Sequence, residues 1–130
     1  MSSYNLGLEY HFPDLDVEPD WKMAVGFYLL CIEQYSKYDS AYNQLGRIYK
    51  EGGHGVAANP ELAFDYFSQA AELGDQYGPK NLGFFYRDGL VVDKDLKKAE
   101  ELFLESAERG EFNSWNSAGD LYYRTRYGME

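Results

Sequence analysis

One phrase comes round four times in this chain. It reads YNLGLEY at 4–10, YNQLGRIYKEG at 42–52, PKNLGFFYRDG at 79–89 and WNSAGDLYYRT at 115–125. Its glycines, Gly7, Gly46, Gly83 and Gly119, stand 39, 37 and 36 residues apart. That period leaves little choice of architecture. A unit this short cannot bury an apolar face alone, so neighbouring units must stack, and a unit of this length is a helix–turn–helix pair. The expectation is an all-α solenoid of about three such repeats, near 3–38, 39–75 and 76–111, with a C-terminal half-repeat over 112–130. Together they form a single domain over 1–130.

A second phrase follows each of the first three copies: DWKMAVGFYLLCIEQY at 20–35, NPELAFDYFSQAAELG at 59–74 and DLKKAEELFLESAERG at 95–110. Aligned on Ala24, Ala63 and Ala99, apolar or small residues recur three, four, seven and eight places on, as Leu102, Phe103, Ser106 and Ala107 do in the third copy. That spacing is one face of a helix. Four places before each alanine stands an N-cap residue, Asp20, Asn59 or Asp95. Pro60 suits a first helical turn, where a missing N–H costs nothing. Gly74 and Gly110 suit a left-handed helix ending, and Tyr35 in the first copy does not. In the first helices, Ala41, Leu45 and Tyr49 stack on the inward side. Gly46 beside them lets a neighbouring helix approach.

Two loops stand out. EGGHGV at 51–56 is rich in glycine, but no strand precedes it and no Lys-Ser or Lys-Thr follows, so it does not match a phosphate loop. Its counterpart RDGLVV lacks the histidine, and both read as helix-to-helix turns. HFPDLDVEP at 11–19 is acidic and longer, either an exposed loop or a cover over one end of the stack.

The run A-x3-LG-x2-Y-x2-G, a short glycine-bearing turn, then A-x6-AA-x2-G resembles the Sel1-like repeat family, relatives of the tetratricopeptide repeats. The best copy matches at Ala41, Leu45, Gly46, Tyr49, Gly52, Gly55, Val56, Ala63, Ala70, Ala71 and Gly74. The next matches at Leu82, Gly83, Tyr86, Gly89, Val91, Ala99, Ala107 and Gly110, with Ser106 replacing one alanine. The resemblance implies a right-handed α/α superhelix whose first helices line a concave face. It also implies adaptor or scaffold work on protein partners, or in bacteria the neutralising of a toxin. It carries no catalytic residue.

Chemistry is sparse. Two histidines, His11 and His54, and the lone Cys31 offer neither a metal-ligand cluster nor a nucleophilic triad, and Cys31 falls on a core position. No enzyme, metal or cofactor is expected. A formal charge of −10 argues against nucleic acid as a partner. No apolar run is long enough for a membrane span. With a single cysteine this reads as a cytoplasmic protein, a monomer or weak oligomer.

Function then turns on the second stripe of each first helix. Its register selects Tyr4, Leu8, His11 and Phe12 in the first copy, and Asn43, Arg47 and Lys50 in the second. It selects Tyr77, Lys80, Phe84 and Arg87 in the third, and Asn116, Asp120, Tyr123 and Arg124 in the last. The full stripe holds five bases and three acids (Glu51, Asp88 and Asp120) in a strongly acidic chain. Aromatics and arginines dominate binding hot spots. The expectation is a groove for a protein segment carrying carboxylates. The other possibility is an acidic immunity-type inhibitor that covers a basic toxin or nucleic-acid-acting enzyme with its 11–20 loop and second helices.

Overall fold

Short-range capping sets the helix limits in the computed structural model, which describes residues 2–128. Met1, Met129 and Glu130, and with them the expected outer limits of the domain, lie outside the described residues. Asp20 accepts from the Met23 amide at 3.1 Å, Asn59 from Leu62 at 3.2 Å and Asp95 from Lys98 at 3.0 Å. All three anticipated N-caps therefore satisfy an orphan N–H of the first turn. Ser2 does the same for Asn5.

The described residues form seven helices: α1 (Ser3–His11), α2 (Trp21–Gln34), α3 (Asp39–Glu51), α4 (Pro60–Glu72), α5 (Gly78–Asp88), α6 (Leu96–Glu108) and α7 (Ser114–Tyr127), of which these caps open α1, α2, α4 and α6. Pro60 opens α4. After α4 and α6 the chain turns through Gly74 at φ +95° and Gly110 at φ +110°. The next amides, of Asp75 and Glu111, reach back to the Ala70 and Ser106 carbonyls at 3.0 Å. This six-to-one closure needs the left-handed residue that glycine supplies. After α2, Tyr35 sits at φ −134°, so that helix ends differently.

Packing falls into two compact units, one up to Tyr66 and one from Phe67 onward, with the boundary inside α4. In the first unit Trp21, Ala24, Val25 and Tyr28 of α2 meet Leu45 and Ile48 of α3, and Tyr4, Leu8 and Tyr66 pack on this cluster. In the second, Ala99 and Phe103 of α6 meet Ala118 and Leu121 of α7, flanked by Phe84, Tyr86 and Leu104. The recurrent glycine has a visible purpose in both. A Cβ on Gly7 would stand 2.5 Å from the Tyr28 ring, and one on Gly83 would stand 2.8 Å from the Phe103 ring.

The inward stripe of α3 is broader than Ala41, Leu45 and Tyr49. Ile48 is fully buried, while Tyr49 is half-buried and stacks on Tyr66 at 5.9 Å. His11 also turns inward, to 4% exposure, with Nδ1 2.9 Å from the Tyr28 hydroxyl. Burial first, and Arg47 second, push its pKa down from 6.5 to about 4. Between those values the unfolded chain binds the extra proton, so stability is lost as pH falls through this window. We expect urea unfolding to show wild type weakening as pH falls from 6.5 to about 4, and His11→Gln to flatten that dependence. An unchanged slope in the variant would rule His11 out as its source.

Candidate functional site

The EGGHGV loop is a turn. Gly53 and Val56 exchange two backbone hydrogen bonds, at 2.7 and 3.0 Å. The His54 carbonyl accepts from the Trp21 amide at 3.1 Å, and the imidazole edge meets the Trp21 ring. His54 thus tethers the loop to the start of α2, with Glu18 4.0 Å from its ring nitrogen. The 11–19 loop takes the exposed alternative: Leu15 is 105% and Val17 58% accessible, beside exposed Asp14, Asp16 and Glu18.

In the first unit the expected stripe is only partly at the surface. Arg47 and Lys50 are exposed. The Arg47 guanidinium lies 5.4 Å from the Phe12 ring centroid and donates to Gln44 at 3.3 Å. Asn43 is a correction. It is buried at 5% exposure, because α3 buries the whole arc of Ala41, Tyr42, Asn43, Leu45, Gly46 and Ile48. His11, expected on the same stripe, is buried as well.

The second unit gathers more. Arg87 donates to both carboxylate oxygens of Asp88, at 2.9 and 3.1 Å, and its guanidinium rests 4.8 Å from the Phe84 ring centroid. The hydrogen bond that Arg87 donates to Asp88 holds the Arg87 pKa above its ordinary value. Phe84 turns an edge to buried Phe103 at 5.1 Å, so it is both core and platform. On α7, Arg124 pairs with Asp120 one turn earlier at 3.4 Å, and Tyr123 leans on Tyr127 at 4.9 Å. Tyr77, Asn116 and Asp120 are exposed.

Arg87, Asp88, Lys94, Leu96 and Arg124 line one open cleft of about 290 Å³. It holds three cations against one acid, with Leu96 as its apolar lining residue. Lys94 escapes the helical register because it lies in the loop before Asp95. Its place one residue ahead of an N-cap, with the ends of α5 and α7 close by, is what brings it in.

Lys80 has another task. Its ammonium lies 3.4 Å from Glu111, whose side chain is only 7% exposed. Glu111 also accepts from the Ser114 hydroxyl at 2.6 Å. Burial raises the Glu111 pKa, but the Ser114 hydrogen bond and then Lys80 lower it more, and the net shift is downward. The Lys80 amide donates to the Ser106 hydroxyl at 2.6 Å. Lys80 therefore secures the α6–α7 turn, and its charge is already matched.

Cys31 is buried and its thiol pKa is pushed up by burial, which leaves a poor nucleophile. Among the described residues no three His, Cys, Asp or Glu side chains converge to hold a metal. No helix there is long and apolar enough to cross a membrane.

Comparison with known proteins places this geometry. The Sel1 repeat matches residues 1–34, 39–75 and 80–111. No curated protein matches the chain. Among solved structures, a Sel1 repeat protein from Oxalobacter formigenes is similar with a TM-score of 0.81 and 28% identity, over 95% of this chain and 47% of that one. A protective antigen of uropathogenic Escherichia coli strains, displaying an SLR fold, is similar with a TM-score of 0.81 and 26% identity, over 94% of this chain and 26% of that one. The chain therefore spans about half of the first relative and a quarter of the second. Repeats of this kind generally serve as protein–protein interaction modules, and their fold is typically a non-enzymatic scaffold. With three successive matches over most of its length, and helix pairs in the order those matches require, the chain belongs to the Sel1 repeat family and is an all-α solenoid.

Proposed function

We propose that the chain binds a protein segment bearing carboxylates, through the first-helix surfaces and above all through the cleft at Arg87, Lys94 and Arg124. One observation carries this reading: three cations share a cleft on a protein of formal charge −10. Arg87 and Arg124 are paired with Asp88 and Asp120, but exposed ion pairs contribute only about 0–1 kcal/mol. An incoming carboxylate can therefore exchange into them at little cost. The Arg87 guanidinium is already oriented by Phe84, and Leu96 offers an apolar floor. Tyr123, next to Arg124 on α7, supplies exposed aromatic surface beside it, and Tyr77 is exposed at the opposite end of α5.

An array of peptides tiled with Asp and Glu, read by fluorescence anisotropy, tests it. The double change Arg87→Ala with Arg124→Ala should weaken the best binder at least about tenfold, since each charge-assisted hydrogen bond contributes about 1.5–3 kcal/mol. Lys80→Ala should weaken it less. Affinity that survives the double change would end the proposal.

A second reading rests on the 12–18 loop, where fully exposed Leu15 is set among Asp14, Asp16 and Glu18. An acidic inhibitor would use that loop against a basic toxin or enzyme. Its association rate would fall steeply with salt, and Leu15→Asp would weaken it.

A further inference from the structure

Of the five arginines, four pair with a carboxylate of this chain: Arg87 with Asp88, Arg109 with Glu105, Arg124 with Asp120 and Arg126 with Glu100. Arg109 and Arg124 find their acid one turn back on their own helix. One turn back from Arg47 stands Asn43, which is neutral and buried. Glu51, one turn ahead, makes no ion pair with it. Among the described residues Arg47 is the arginine without a carboxylate partner.

Its neighbours hold the guanidinium in place without neutralising it. It lies 5.4 Å from the Phe12 ring centroid, and Nη1 donates to Gln44 Oε1 at 3.3 Å. The Gln44 amide donates in turn to the Tyr4 hydroxyl at 3.5 Å, and the Tyr4 ring leans on Tyr38 at 4.9 Å. Phe12 is itself stacked on buried His11 at 3.9 Å. Contacts thus run from Tyr38 through Tyr4, Gln44 and Arg47 to Phe12. Arg47 is exposed, and so are Phe12 at 52% and Tyr38 at 41%. This exposure does not come from an end of the chain. The helix that carries Arg47, α3, has α2 before it and α4 after it, and the residues equivalent to Phe12 in the next two repeats, Glu51 and Asp88, are exposed as well.

The bond to Gln44 leaves the Nε–Nη2 edge of Arg47 without an acceptor among the described residues. Arg87 shows what that edge takes, because its Nε and Nη2 hold the two oxygens of Asp88. Such a fork matches the planar carboxylate group. We propose that Arg47 is a further binding point, in the first unit, which takes an Asp or Glu side chain of a partner segment on its Nε–Nη2 edge, with aromatic residues beside that acid lying along Phe12 and the Tyr4–Tyr38 pair. One unmatched positive charge suits one carboxylate. A phosphate dianion would bring a second negative charge to a chain already at −10. The proposal rests on the reading of a carboxylate-bearing partner, but this site does not need the Arg87 cleft.

The probe is the synthetic peptide acetyl-Phe-Glu-Phe-amide, with acetyl-Phe-Gln-Phe-amide as its uncharged match. Binding near neutral pH is read from the arginine Nε–H and glutamine side-chain amide resonances. Expected is a saturable shift at Arg47 and Gln44 with the acidic peptide and none with its match. Arg47→Ala should weaken this binding at least about tenfold, and Arg47→Lys, which has no fork, at least about threefold. Both variants should keep the wild-type urea midpoint, since the side chain is exposed. In the double variant Arg87→Ala with Arg124→Ala the shift at Arg47 should persist, so a failed cleft and a failed Arg47 site give different results. Its loss there would show that Arg47 has no site of its own. An equal shift with the uncharged peptide, or affinity retained by Arg47→Ala, would overturn the proposal. So would inorganic phosphate shifting the Arg47 resonance at lower concentration than the peptide, because the ligand would then be a phosphate.

Discussion

Gly83→Leu destabilises the second unit by about 3 kcal/mol, whereas Gly119→Leu leaves it unchanged or more stable by up to about 0.8 kcal/mol. The two glycines occupy the same place in successive repeats and share the same helical propensity. They differ in what faces them. A single Cβ on Gly83 already comes within 2.8 Å of the Phe103 ring. Phe103 is fully buried, held among Ala99, Ala118 and Leu121, and cannot swing aside. The larger side chain must therefore push α5 and α6 apart, and interiors packed to this density yield poorly. Gly119 faces open space, so only the helix-propensity gain remains. Urea midpoints of the two variants against wild type decide the matter. Equal effects at both positions would mean that the glycine is kept for backbone reasons rather than for helix approach. Gly7, with Tyr28 at 2.5 Å, should behave as Gly83 does.

That contrast also marks how far local chemistry could be read in advance. Asp20, Asn59 and Asp95 cap their helices because capping depends on three or four neighbouring residues and nothing else. Gly74 and Gly110 end theirs for the same reason. The period of the glycines carries the pairing of helices, since a stacked repeat has few other ways to bury its face. The candidate site was only half legible. Arg87, Asp120, Tyr123 and Arg124 follow from helical register, and the structure leaves them at or near the surface. Asn43 does not, because the width of a buried arc is set by the helices packed on both sides of it. Lys80 reads as a groove cation until the turn after Gly110 swings the Glu111 carboxylate beneath it. Lys94 is invisible to register because its loop has none. The Lys80 and Lys94 misses involve turns, and the Asn43 miss involves the width of a packed helix face; tertiary packing rather than the period decides each.

Glu111 carries the other large effect. Glu111→Ala costs about 2–3 kcal/mol, because it strands a buried hydroxyl and a mostly covered ammonium together. In wild type the carboxylate takes the Ser114 hydroxyl at 2.6 Å and the Lys80 ammonium at 3.4 Å. The equivalent acid one repeat earlier, Asp75, accepts from the Tyr77 and Gly78 amides at 2.7 and 2.9 Å, so both turns are tied by a buried carboxylate. Glu111→Gln keeps an acceptor and should cost less than alanine. The pH dependence separates this site from His11. The folded-state pKa of Glu111 is lowered, so its contribution is complete above the unfolded value of about 4.3 and is lost as pH falls from there through the folded value. The gap in stability between wild type and Glu111→Gln should therefore hold constant from about pH 8 to about pH 5 and close only below it. His11 acts higher, from 6.5 down to about 4, and with wild type losing stability that His11→Gln retains. Urea unfolding of the three proteins across this range resolves both windows. A Glu111→Gln gap that narrowed near neutral pH would show that the carboxylate is not held in its charged form by Ser114 and Lys80.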